Sequence, residues 1–79
     1  MLKSYDVDKL TAGIKKAYES GKDSASFKFE SEQLFNLACK RLFDEGDAYN
    51  MLESAGCKMN SYRYRYSKEL YTIRIFFKG

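Results

Sequence analysis

The sequence contains no histidine, the side chain that most often serves as a general base near neutral pH. A base would therefore have to be a strongly perturbed carboxylate, lysine or cysteine, and no nucleophile motif accompanies any of these. Glycine-rich loops that could hold phosphates are also missing. We expect a protein without enzymatic activity and without a bound cofactor.

Metal ligands are scarce as well. The only cysteines are Cys39 and Cys57, whereas a structural zinc site needs four cysteine or histidine ligands. The acidic residues Asp44, Glu45 and Asp47 lack the regular oxygen-ligand spacing of a calcium loop. We interpret them as helix-end and turn residues, with Asp47 as the N-cap of a helix, and expect no metal site.

Long apolar runs are missing too. No stretch approaches the roughly 18 residues of a membrane span, and Met1-Leu2-Lys3 leads directly into polar and acidic residues, unlike a signal peptide. We therefore expect a cytoplasmic location without membrane contact, in which Cys39 and Cys57 would be reduced, partly buried thiols. Their spacing alone leaves a disulfide between them open.

The chain also lacks low-complexity tracts, internal repeats and linker-like segments. Its 79 residues suffice for one compact core, so we expect a single α+β domain over residues 1–79 with no linkers. The apolar pattern predicts the order α-β-α-α-β-β, with a short antiparallel sheet and a C-terminal hairpin packed on the helices. The predicted apolar helix faces are Val7, Leu10, Ile14, Ala17 and Tyr18, then Leu34, Phe35, Leu37, Ala38, Leu42 and Phe43, then Ala48, Met51, Leu52 and Ala55.

The predicted element order is that of the winged-helix arrangement of DNA-binding domains. A recognition helix of that kind presents basic or amide side chains in its first turns, where they reach base edges. The third predicted helix instead shows Asp47, Tyr49, Asn50 and Glu53, and its two acids would be repelled by DNA phosphates. We do not expect this helix to recognise a DNA sequence.

Positive charge is concentrated at the C-terminal end of the chain. Residues 57–79 carry a net charge of +5, whereas residues 1–56 sum to −2. In the predicted hairpin, a connecting loop with an even number of residues keeps every arginine out of the core, because a slip of one residue would exchange the two faces. Ser-Lys is a poor two-residue turn, so we favour a four-residue loop from Ser67 to Leu70.

This register separates the tyrosines of the hairpin from its arginines. The tyrosine side comprises Tyr62, Tyr64 and Tyr66 together with Tyr71, Ile73, Ile75 and Phe77, and the opposite side comprises Arg63, Arg65 and Arg74. We expect the tyrosine side to be mainly core packed on the helices, with Tyr66, nearest the turn, the most exposed. Such packing would weaken any role of the tyrosines in stacking on nucleic-acid bases.

The arginine side is the candidate partner-binding surface. It consists of Arg63, Arg65 and Arg74, flanked by Met59, Leu70 and Phe76, with Lys68 at the tip. Arginine among apolar and aromatic residues is typical of the centre of protein interfaces, so a protein partner is the main hypothesis. The alternatives are nucleic-acid phosphates bound by the same side, a homodimer through it, and a solvated side that prevents edge aggregation.

The kind of binding module follows from context rather than from these residues. Small stand-alone chains are common among viral and mobile-element proteins that act on host machinery. An accessory or inhibitor protein is therefore the expected role.

Overall fold

The computed structural model describes residues 1–57 and 62–77. It contains the helices α1 (Val7–Glu19), α2 (Glu32–Cys39) and α3 (Asp47–Ser54) and the strands β1 (Ser24–Lys28), β2 (Arg63–Ser67) and β3 (Thr72–Phe76). The strands form an antiparallel sheet in the order β1-β3-β2, so the last strand of the chain lies in the middle. The predicted α+β class and element order are confirmed.

Helix α1 begins and ends where its capping residues predict. The Asp6 carboxylate accepts hydrogen bonds from the backbone N–H groups of Asp8 and Lys9, at 3.0 and 3.3 Å. Gly21 follows the helix with φ +81°, a left-handed conformation that glycine adopts without strain. Leu10 and Ile14 are fully buried, which fixes the face that α1 turns toward the core.

The second predicted helix is interrupted. Helix α2 ends at Cys39, and the chain continues as a wider π-helical turn over Lys40–Asp44, in which the Glu45 N–H donates to the Lys40 carbonyl at 3.0 Å. The N-cap position of α3 is Gly46, with φ +84°. The prediction that Asp47 is the N-cap was therefore wrong, because the left-handed turn is completed one residue earlier and Asp47 already belongs to the helix.

The helices cover one side of the sheet and leave the other side open. Within the central strand, Ile73 and Ile75 are fully buried while Arg74 between them is exposed, which is the alternation of a sheet with one covered face. The buried side chains from the helices that meet this face are Leu10, Ile14, Phe35, Ala38, Ala48, Met51 and Leu52. Within residues 1–57 and 62–77, no helix has both the length and the hydropathy to cross a membrane.

The loop between β2 and β3 has four residues, as favoured, but it lies one position later than expected. It runs from Lys68 to Tyr71 instead of from Ser67 to Leu70. The Ser67 hydroxyl accepts a hydrogen bond from the Leu70 N–H at 3.4 Å, and Tyr71 closes the turn with φ +49°. The tyrosine at the loop end thus leaves the second strand, because the turn requires a left-handed residue at its position.

Candidate functional site

The open side of the sheet forms a continuous surface of short and basic side chains, here named the outer face. Arg65 lies directly opposite Arg74 on the neighbouring strand, and Arg63 lies opposite Phe76. On the other side of β3, Ser26 lies opposite Arg74. The outer face comprises Ser24, Ser26, Lys28, Arg63, Arg65, Ser67, Thr72, Arg74 and Phe76.

The register brings the three predicted arginines together. An antiparallel pair of directly opposite residues places the Cβ atoms about 4.5–5.5 Å apart, so Arg65 and Arg74 carry like charges at close range. None of the nine described residues of the outer face carries a carboxylate that could compensate them. The positive charge of this surface is therefore complementary to an anionic surface.

Phe76 and Leu70 add apolar area to this charged surface. The guanidinium carbon of Arg63 lies 5.9 Å from the centroid of the Phe76 ring, within the range of a cation–π contact. Leu70, in the turn, is 60% exposed and lines a shallow depression of about 210 Å³ together with Arg65 and Arg74. The arginines are thus held beside apolar partners, as the sequence predicted for Phe76 and Leu70.

Lys68 lies in the hairpin turn, as predicted, and is not one of the outer-face residues. It lines a groove on the opposite side of β2, where Tyr64, Tyr66 and residues of α2 also lie. The remaining predicted residue, Met59, lies outside the described residues.

The prediction that the tyrosine side is mainly core holds for Ile73, Ile75 and Phe77, which are buried, and Tyr62 and Tyr71 pack against the core. It is wrong for Tyr64 on β2. Tyr64 is 44% exposed and Tyr66 is 53% exposed, although Tyr66 is the more exposed of the two, as expected. Strand β2 is an outer strand of the sheet, and the helices cover its inner side only in part. Tyr64 stacks on Phe43 with ring centroids 3.6 Å apart, and Tyr66 contacts Phe35 at 6.2 Å. Both rings rest on the protein with substantial area facing solvent.

Sequence reasoning did not identify Phe43 and Lys40 as site residues. The sequence places Phe43 only on an apolar helix face and gives no signal for Lys40. Both lie in the π-helical turn and line the groove beside Tyr64. The sequence signal that could have identified Phe43 is its position at the end of the apolar stripe, next to the acidic turn. A side chain at the end of a helix face is less completely buried than one in its middle.

Ionisable side chains elsewhere serve the fold. The Tyr5 hydroxyl donates a hydrogen bond to the Asp47 carboxylate at 2.7 Å, and burial together with this bond raises the pKa of Tyr5. Cys39 and Cys57 are free thiols, and burial raises the pKa of both, which lowers their thiolate fraction and reactivity. No cluster of three or more metal-ligating side chains occurs among residues 1–57 and 62–77.

The chain matches no protein-family model, and no curated protein and no solved structure is significantly similar to it. The two sides of the hairpin are thus the features of the described residues that point to a function.

Proposed function

We propose that the protein is a non-enzymatic binding module that engages an acidic surface of a protein partner through its outer face. The observation that carries the proposal is the pairing of Arg65 with Arg74 in a surface that contains no carboxylate. Like charges directly opposite each other reduce the stability of the free sheet. An acidic partner removes this cost on binding, because its carboxylates separate the two guanidinium groups and form bidentate hydrogen bonds with them.

A protein surface fits the outer face better than a nucleic-acid backbone does. If the outer face bound a nucleic-acid backbone, the Phe76 ring and the exposed Leu70 side chain would remain in contact with water, whereas a protein partner can bury both. Arginine next to an aromatic ring is the composition of interface hot spots. The whole chain carries a net charge of only +3, which is small for a domain that binds nucleic acid mainly through charge. A surface that binds another protein would suit an accessory or inhibitor protein acting on host machinery, because such a protein works by binding its target.

The proposal is tested by partner capture with charge-reversed variants. The tagged protein and its Arg63→Glu, Arg65→Glu, Arg74→Glu triple variant are compared in extracts of the native host by quantitative mass spectrometry. The matched control is Lys9→Glu, Lys15→Glu, Lys22→Glu, which changes the net charge equally at exposed positions that are not part of the outer face. We expect at least one protein partner that the control retains and the arginine variant loses. A partner set that is the same for all three proteins would refute the proposal.

Nucleic acid bound by the outer face is the second candidate, and the same variants separate it. Phosphate contacts would give binding to mixed DNA and RNA that weakens steeply with salt and that the arginine variant abolishes. The protein proposal predicts partner binding that nuclease treatment of the extract leaves intact. Loss of every arginine-dependent partner after nuclease treatment would favour the nucleic-acid function instead.

A further inference from the structure

The tyrosines of β2 form a flat aromatic surface on the side opposite the arginines. Tyr64 and Phe43 are nearly parallel, with planes inclined by 11° and centroids 3.6 Å apart, so Phe43 lies directly under one face of the Tyr64 ring. Tyr62 lies 6.3 Å from Tyr64 and 6.5 Å from Phe43, which places it beside Tyr64 rather than above it. Tyr62 therefore widens the surface beside the Tyr64–Phe43 pair and does not cover it.

Tyr66 extends this surface toward the turn. Its ring lies 6.5 Å from that of Tyr64, with the planes inclined by 21°. Phe43 occupies the inner face of Tyr64, and roughly half of each tyrosine is open to solvent, at 44% and 53%. The tyrosine platform, defined as Tyr64 stacked on Phe43 and Tyr66 beside Phe35, is thus packed on the protein before any ligand arrives.

Charge next to the platform is predominantly positive. Lys40 from the π-helical turn and Lys68 from the hairpin turn line the same groove of about 280 Å³ as the two tyrosines, and Asp44 contributes the one carboxylate of its described lining. Two lysines against one acid favour an anionic ligand. Exposed aromatic rings beside lysines are the arrangement with which proteins bind unpaired nucleotides, because bases stack on the rings while the ammonium groups contact phosphates.

We propose that the tyrosine platform and its two lysines bind the unpaired bases of single-stranded nucleic acid. Duplex is a poor ligand, because its bases already stack on one another and offer no free face to the tyrosines. Every base has a π face, so binding has little sequence preference. The proposal is independent of the proposed function, since it uses the side of β2 opposite the arginines.

An oligonucleotide pair isolates stacking from charge. Fluorescence anisotropy at about 50 mM salt compares labelled oligothymidylate of about 12 nucleotides with an abasic strand of the same length, which has the same phosphates and no bases. We expect the thymidylate strand to bind at least about tenfold more tightly than the abasic one. Equal binding to the two strands, or no binding to either, would overturn the proposal.

Variants then locate the binding. Replacing Tyr64 and Tyr66 together by Ala should weaken thymidylate binding by about tenfold or more, which is within the range for lost base stacking. Replacing both by Phe should retain most of it. Tyr49→Ala is the matched control, because Tyr49 on α3 is 49% exposed and lies off the platform. Circular dichroism verifies that each variant is folded.

The remaining outcomes also decide the question. An equal loss for Tyr49→Ala, or a loss confined to the triple arginine variant, would overturn the proposal and assign nucleic-acid binding elsewhere. Loss of a captured protein from the Tyr64 and Tyr66 variant, without any thymidylate binding, would make the platform part of a protein interface. Failure of the arginine experiment leaves these results unchanged, so the two proposals are tested separately.

Discussion

Reversing one charge of the Arg65 and Arg74 pair should make the free protein more stable. The two residues lie directly opposite each other on β2 and β3. Two unit charges about 6 Å apart in water repel each other by about 0.7 kcal/mol. A change of one arginine to Glu replaces this repulsion by an attraction of equal size, and salt of about 0.15 M screens roughly half of the difference. Each single variant should therefore gain about 0.5–1 kcal/mol in free energy of unfolding, or about 3–6 °C in Tm.

A double-mutant cycle measures this coupling. Wild type, Arg65→Glu, Arg74→Glu and the double variant are unfolded by urea and by heat and followed by circular dichroism. The double variant again carries two like charges, so it should be about as stable as wild type instead of gaining the sum of the two single effects. Added salt should stabilise wild type and the double variant relative to the two single variants, because it screens repulsion in the former and attraction in the latter.

The control for net charge is Lys15→Glu, which makes the same charge change on the exposed side of α1. Single arginine variants that are no more stable than this control would refute the argument. So would an additive cycle, which would mean that Arg65 and Arg74 do not interact. Either result would remove the electrostatic reason for an anionic partner at the outer face.

Two further predictions concern the fold. Tyr5→Phe removes the hydrogen bond to Asp47 and should lower the free energy of unfolding by about 1–2 kcal/mol at pH 7, measured by urea unfolding. Because the pKa of Tyr5 is raised in the folded protein, the stability difference between wild type and variant should persist below about pH 10 and shrink above it. A constant difference up to about pH 11 would contradict the assignment. Asp6→Ala should lower the free energy of unfolding by about 1–2 kcal/mol and Ser31→Ala by about 0.5–1 kcal/mol, because Asp6 caps two backbone N–H groups and Ser31 caps one. A larger drop in Tm for Ser31→Ala than for Asp6→Ala would refute the cap geometry.

The parts of the fold that the sequence predicts correctly depend on local rules. Asp6 and Ser31 begin helices because their side chains accept backbone N–H bonds, and Gly21 ends one because it adopts positive φ. The alternation in β3 fixes which side of the strand is buried. These features need only neighbours in the chain, so they can be predicted without knowledge of the tertiary contacts.

The π-helical turn and the loop position could not be predicted in the same way. An apolar stripe from Leu34 to Phe43 is compatible with either an α-helix or a helix that widens near its end, because both can bury Phe35, Ala38 and Leu42 together. An even loop length follows from hydrophobic alternation, but alternation is unchanged when the loop moves by one residue and the strand pairing moves with it. The hydrogen bonds of Ser67 and the left-handed Tyr71 select the actual position.

For the candidate surfaces, the sequence by itself determined that the arginines of the hairpin share one side and the tyrosines the other, because strand residues alternate with a period of two. It also determined the charge of the C-terminal end. Only the tertiary structure decided that β2 is an outer strand, so that Tyr64 and Tyr66 remain half exposed on Phe43 instead of joining the core. The alternation of side chains along a strand determines which side of the sheet a residue faces. How far the helices extend across the sheet determines whether that side is covered.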